Sequence, residues 1–226
     1  MSSASLSRSV EDYLKAIYGL SQGSDPASTS AIAESLEVQP ASVTGMVKRL
    51  AEIDLLEHVP YRGVRLTPAG HREALRVLRR HRILETYLCE RLGYTWDDVH
   101  DEAERLEHAA SDELIERMAH ALGFPSHDPH GAPIPTIAGE IEPAVVATLA
   151  DALPGSRLQI RAVRDEQAEE LRAMAADGLV PGARVRLDEG QADEGVVSVV
   201  VGGADGAAVA VLRDLASRIY VVPDES

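Results

Sequence analysis

The sequence predicts a mainly helical protein with a β-rich C-terminal domain: an N-terminal winged helix-turn-helix, a second helical segment, and a small C-terminal barrel. Three observations predict it. Apolar residues recur at helical spacing through the first half, prolines concentrate in one short stretch beyond residue 124, and β-branched runs of strand length follow. A chain of 226 residues can hold two or three small domains, each with its own core, and the boundaries are expected at 1–70, 71–143 and 144–226.

The elements follow in order. Val10, Leu14, Ile17 and Leu20 share one helical face, and Gly23 to Pro26 end that first helix. Ser28, Thr29 or Ser30 can cap a second helix with Ile32, Ala33 and Leu36 inward; after a break at Val38 to Pro40, a third turns Val43, Met46, Val47, Leu50 and Ile53 inward. Leu55 to Val59 and Val64 to Leu66, joined through Tyr61-Arg62-Gly63, read as a β-hairpin wing with an arginine at its tip. A long amphipathic helix is expected from Pro68 to Glu90, because proline suits a first turn and Gly93 stands just past the end. Two more helices fit Trp96 to Ala110 and Asp112 to Leu122. Five of the twelve prolines then fall between Pro125 and Pro143, the composition of a tether. Beyond it come a short helix (Glu166 to Ala176), a Pro181-Gly182 turn, and strand-like runs at Val185 to Leu187, Val196 to Val201, Val209 to Leu212 and Ile219 to Val222. Several short strands in so few residues suggest a small barrel.

Composition narrows the function. The sequence has neither an apolar run long enough to span a bilayer nor a secretory leader pattern, so a cytoplasmic location is expected. Cys89 is the single cysteine, and among eight histidines and 37 acidic residues it points any metal chemistry toward oxygen and nitrogen ligands. The net charge of −15 is unevenly spread, at +1 over residues 1–80 and −16 over residues 81–226. Phosphate contact depends on the field within about 8 Å at physiological salt, so the N-terminal third stays compatible with nucleic acid. Solubility alone would explain the overall acidity equally well.

A helix-turn-helix offers the N-terminal half of its second helix to the major groove. The outward residues there are Gln39, Ser42, Thr44 and Gly45, followed by Lys48 and Arg49, with Arg62 and Arg65 on the wing. Gln39 suits a base edge, Ser42 and Thr44 suit a phosphate or a thymine methyl, and the cations suit phosphates. Small polar residues also solvate ordinary helices, but the arginine-tipped hairpin turns the balance toward double-stranded DNA.

His100, Glu104, Glu107 and His108 project from one helical face, because three- and four-residue steps return to the same side. Carboxylates so crowded need a cation, a proton or a lysine between them. His81 and Glu85 repeat the four-residue step on the preceding helix, and helix one adds Asp12, preceded by Glu11. For His81 with Glu85 taken alone the spacing favours a solvated face, while His120, His127 and His130 lack paired spacing and are read as structural. An enzyme is not expected. The chain has no Glu-x-x-His pair of the di-iron bundles, no Gly-x-Ser-x-Gly, no P-loop and no His-Glu-x-x-His zinc helix.

Five ordered blocks carry a resemblance: Ser9-Val-Glu-Asp-Tyr-Leu-Lys-Ala-Ile-Tyr18, Gln39-Pro-Ala-Ser-Val-Thr44, Tyr61-Arg-Gly-Val-Arg-Leu-Thr-Pro-Ala-Gly70, Arg80-His-Arg-Ile-Leu-Glu85, and His100 through His108. Together they resemble the diphtheria toxin repressor and manganese transport regulator family over nearly the whole chain. The resemblance implies an SH3-like C-terminal domain, a helical dimerisation domain, a homodimer on a pseudo-palindromic operator, and two metal positions. It implies a primary site of Asp12, Glu104, Glu107 and His108, and an ancillary site of His81, Glu85 and His100, with Asp165 as the barrel's contribution. Iron-type members carry methionine at the position of Asp12 and cysteine at that of Glu104, so oxygen ligands here favour Mn²⁺ ahead of Fe²⁺. Manganese-type members often have a glutamate three residues after the aspartate, where this chain has Lys15. The expected function is a divalent-metal-dependent repressor of metal-uptake genes. Without metal, Asp12 would repel Glu104 and Glu107 and leave the DNA-binding domain loosely oriented. The alternative is a winged-helix regulator controlled by a small organic effector.

Overall fold

A computed structural model describes residues 6–21, 25–143, 145, 147–164, 167–188, 195–202 and 206–224. The chain forms two compact units. One takes Met1–His81, Leu106–Asp112 and Pro135–Ile141, and the other takes Arg82–Arg105, Glu113–Ile134 and Glu142–Ser226.

The first unit begins with three helices, α1 (Arg8–Leu20), α2 (Thr29–Ser35) and α3 (Pro40–Glu52), and a hairpin of β1 (Leu56–Val59) with β2 (Gly63–Leu66). Ser28 caps α2 by accepting the Ala31 amide at 3.1 Å, and Pro40 occupies the first turn of α3, where its missing N–H costs nothing. Leu14, Ile17, Ile32, Val43 and Leu50 are fully buried together, each burial contributing about 1.5–3 kcal/mol. Ile53 was expected inside, but α3 has ended at that point and the side chain is 51% exposed. The hairpin is stitched to the strand-like segment before α2 by reciprocal Ala27–Val64 backbone bonds of 2.9 Å. Gly63 permits this approach, since a Cβ there would stand 2.1 Å from the Ala27 carbonyl oxygen. The long helix α4 (Pro68–Leu92) runs two residues past its expected end.

α5 (Val99–Leu106) and α6 (Asp112–Ala121) are shorter than the periodicity suggested. Asp98 N bonds Thr95 O at 3.1 Å, a tight turn ahead of α5, and Trp96 packs against the sheet core of the second unit instead of joining the helix. That sheet contains β3 (Arg157–Val163), β4 (Arg184–Leu187), β5 (Val196–Val201), β6 (Ala207–Leu212) and β7 (Ile219–Pro223), antiparallel in the order β6-β5-β4-β3-β7. Its core is closed by α7 (Ala168–Ala176), α8 (Arg213–Ala216) and a 3₁₀ turn at Leu149–Asp151. The expected start of α7 at Glu166 lies outside the described residues. β3 escaped the sequence reading because a bulge between Ile160 and Ala162 breaks its alternation.

The proline-rich segment is not a loose tether in this unit. Ile134 N bonds Ser126 O at 2.8 Å, and Val163 N of β3 bonds His130 O at 2.9 Å. Gly131, at φ +82°, fits where a Cβ would stand 2.1 Å from the Arg161 carbonyl oxygen. Among the described residues no helix is long and apolar enough to cross a membrane.

Candidate metal centre

In the first unit the chain brings α1 against the turn that follows α5. Glu11 is buried; its Oε2 lies 2.7 Å from His108 Nδ1, and its other oxygen accepts from Arg80. A carboxylate on Nδ1 is the outer partner that commonly orients a metal-ligating imidazole, and it leaves Nε2 as the ring nitrogen an ion would meet. His108 Nε2 is buried and makes no hydrogen bond among the described residues, although Asp12 Oδ1 lies 2.8 Å away and Glu107 Oε1 lies 3.3 Å away. One orphaned nitrogen between two carboxylate oxygens fits a hard or borderline divalent cation such as Mn²⁺ or Fe²⁺. Asp12 keeps 31% of its side chain exposed, which leaves a route for the ion.

Glu107 is wholly buried. Its Oε2 lies 2.6 Å from His81 Nδ1 and its Oε1 accepts from Lys15 Nζ at 2.8 Å. Burial pushes this carboxyl up, but the His81 hydrogen bond and the Lys15 charge outweigh it and hold Glu107 below the ordinary glutamate value. The bare repulsion expected between metal-free carboxylates is therefore already offset here by Lys15, Arg80 and His81. His81, expected to serve a second ion with Glu85, hydrogen-bonds Glu107.

The second unit holds another grouping. Glu85 places Oε1 3.2 Å from His100 Nδ1 and Oε2 3.7 Å from His130 Nδ1. His130 Nε2 donates to the Trp96 carbonyl at 2.7 Å, the outer hydrogen bond that commonly orients a metal-ligating imidazole. Asp128 folds this segment. Its Oδ1 accepts from the amides of His130 and Ala132 at 2.9 and 3.0 Å, while Oδ2 lies 3.3 Å from Arg82 Nε. Ligand atoms of Glu85, Asp128 and His130, all three residues buried, lie within 4.8 Å of one another. Burial, and then the Glu85 charge, raise Asp128 above its usual range; burial opposes charge on His130, but Glu85 and Asp128 prevail and raise it. Glu104 stands on α5 with Oε1 3.9 Å from His100 Nε2. Asp165 lies outside the described residues. Sequence reasoning missed Asp128 and His130. Asp-Pro-His-Gly is legible as a turn, but nothing in its spacing shows that the turn faces Glu85.

Of the residues expected to face DNA, Gln39, Ser42, Thr44, Gly45, Lys48, Arg49, Arg62 and Arg65 are all exposed. Thr44 already donates its hydroxyl to Pro40 O at 3.1 Å, which leaves it an acceptor toward DNA. Arg62 pairs with Asp25 at 2.7 Å. Tyr61, fully exposed at the hairpin tip with φ +63°, was not among the expected contacts.

A winged helix-turn-helix followed by buried carboxylate–histidine groupings defines the class of metal-responsive regulators. Three family models match the chain in order: the N-terminal DNA binding domain of iron dependent repressors over residues 5–64, their metal binding and dimerisation domain over 67–136, and the FeoA domain over 147–223. The diphtheria toxin repressor of Corynebacterium glutamicum is 31% identical over 222 residues, covering 93% of this chain and 94% of that protein. A manganese-dependent transcriptional repressor in complex with manganese superposes with a TM-score of 0.89 at 38% identity, over 95% of this chain and all of the other. ScaR with bound Cd²⁺ superposes with a TM-score of 0.83 at 31% identity, over 95% and 99% of the two chains. The chain belongs to the diphtheria toxin repressor family of metal-dependent transcriptional repressors.

Proposed function

We propose that this chain is a Mn²⁺-dependent repressor, with Fe²⁺ as the second choice of ion, that binds double-stranded operator DNA as a cytoplasmic homodimer and controls metal-uptake genes. The observation that carries the proposal is His108 Nε2, buried without a hydrogen-bond partner among the described residues and facing Asp12 and Glu107. Asp12, Glu107 and His108 would hold the first ion. Glu85 and His100, joined by Asp128 and His130, would hold a second. The ion supplies the positive charge that lets these groups share one site.

Asp12 then acts through α1. Its ligation ties the helix whose Leu14 and Ile17 anchor the winged-helix core to the turn carrying Glu107 and His108, and so restricts how α3 is presented. Gln39 and Ser42 read the groove, with Lys48, Arg49, Arg62 and Arg65 on phosphates. Linkage requires that DNA raise metal affinity by the same factor by which metal raises DNA affinity. The test is a mobility-shift titration with Mn²⁺. Asp12→Ala and His108→Ala should each abolish the metal dependence; unchanged dependence in either removes that residue from the switch. Operator binding that survives chelation would favour an organic effector.

A further inference from the structure

We infer that Lys15 is a tethered cation that competes with the first metal ion for Glu107 and thereby sets the affinity of that site. The inference rests on the ligand assignment above. Lys15 Nζ and His108 Nε2 lie 2.8 and 3.3 Å from the same oxygen, Glu107 Oε1. The other oxygen is taken by His81 at 2.6 Å, and the nearby Arg80 is committed to Glu11. The ammonium therefore holds the same carboxylate oxygen that faces His108, where an ion would sit.

Glu107 has no exposed side-chain surface, and Lys15 keeps 19%. A carboxylate so deeply buried is tolerable as an anion only with a charged partner, and Lys15 is that partner before metal arrives. When the dication binds, two cations share one carboxylate oxygen across a low-dielectric site, and their repulsion weakens the binding. Lys15 thus stabilises the metal-free protein and holds affinity below what the ligand set could reach, so that the site fills only as the ion accumulates.

The two effects have opposite signs, which separates them from a merely structural role. In the full-length protein, Lys15→Met and the hydrogen-bonding but uncharged Lys15→Gln should each bind Mn²⁺ at least about tenfold more tightly. Both should also lower the melting temperature of the metal-free protein, with a larger rise on adding Mn²⁺ than the parent shows. Loss of the free Mn²⁺ electron paramagnetic resonance signal, together with calorimetry, reads binding directly and without DNA. If the parent protein fails to take up Mn²⁺, the ligand assignment itself is wrong. If the parent binds Mn²⁺ and both neutral variants bind it equally or more weakly, the assignment survives and the role given to Lys15 does not.

Discussion

The two carboxylate–histidine groupings differ in how their charge is balanced before any ion arrives. Around Glu107 the balance comes from long, basic side chains on α1 and α4, so Glu107 is held by Lys15 and Glu11 by Arg80. Around Glu85 the carboxylate lies between imidazoles, and Asp128 shares its charge between Arg82 and two backbone amides. The first arrangement is a salt-bridge network opened on one side. The second is a hydrogen-bonded turn whose own geometry supplies the ligand atoms. A charge network should therefore fail when one member is deleted, whereas the turn should lose affinity and keep its shape.

The largest expected effect breaks the first grouping. Glu107→Ala removes a ligand and strands Lys15 and His81, so metal-dependent operator binding should fall by more than about 100-fold, with a loss of about 3 kcal/mol in metal-free stability. Urea unfolding after chelation checks the second part. Since the folded protein holds Glu107 below its ordinary value, its contribution is full above the carboxylate range and fades as pH falls through the folded value. Glu107→Gln should accordingly flatten the acid side of the metal-free stability profile. Next in size, Glu11→Ala should weaken Mn²⁺ binding by about 10–100-fold by releasing His108, with Glu11→Gln losing less because an acceptor remains. Calorimetry that finds Glu11→Ala equal to the parent would show that the ring is held by packing alone.

A smaller change is expected from His130→Ala, which should weaken one of two bound ions by about tenfold and leave the other unaltered. The smallest concerns Cys89, where burial first, and then the Glu85 and Asp128 charges, push the thiol up to about 12. At pH 8 it should resist alkylation in the folded protein, with or without metal, and react readily once unfolded.

The contrast also explains what could be read in advance. The convergence of Asp12, Glu107 and His108 was legible through the family blocks rather than through helical spacing, because Asp12 lies on α1 and Glu107 and His108 lie in the turn beyond α5. The winged helix was legible through helical spacing, in Leu14, Ile17, Val43 and Leu50. Asp128 and His130 were not. They lie in a proline-rich segment without period, and their approach to Glu85 depends on the backbone bond from Val163 to His130 and the room that Gly131 leaves. The helix ends were misjudged where tertiary packing overrode periodicity, as when Trp96 left the expected helix for the sheet core. Lys15 was visible as a departure from pattern, but its grip on Glu107 was not.

Arg62 carries its own counterion. In the proposed complex, a phosphate that took Arg62 would have to displace the Asp25 carboxylate and would leave a negative charge beside the DNA backbone. That like charge would offset part of the attraction the arginine offers, so Arg62 would orient the hairpin tip more than it tightens the complex. Replacing Asp25 with Asn should therefore strengthen operator binding in a mobility-shift titration, most visibly at low salt.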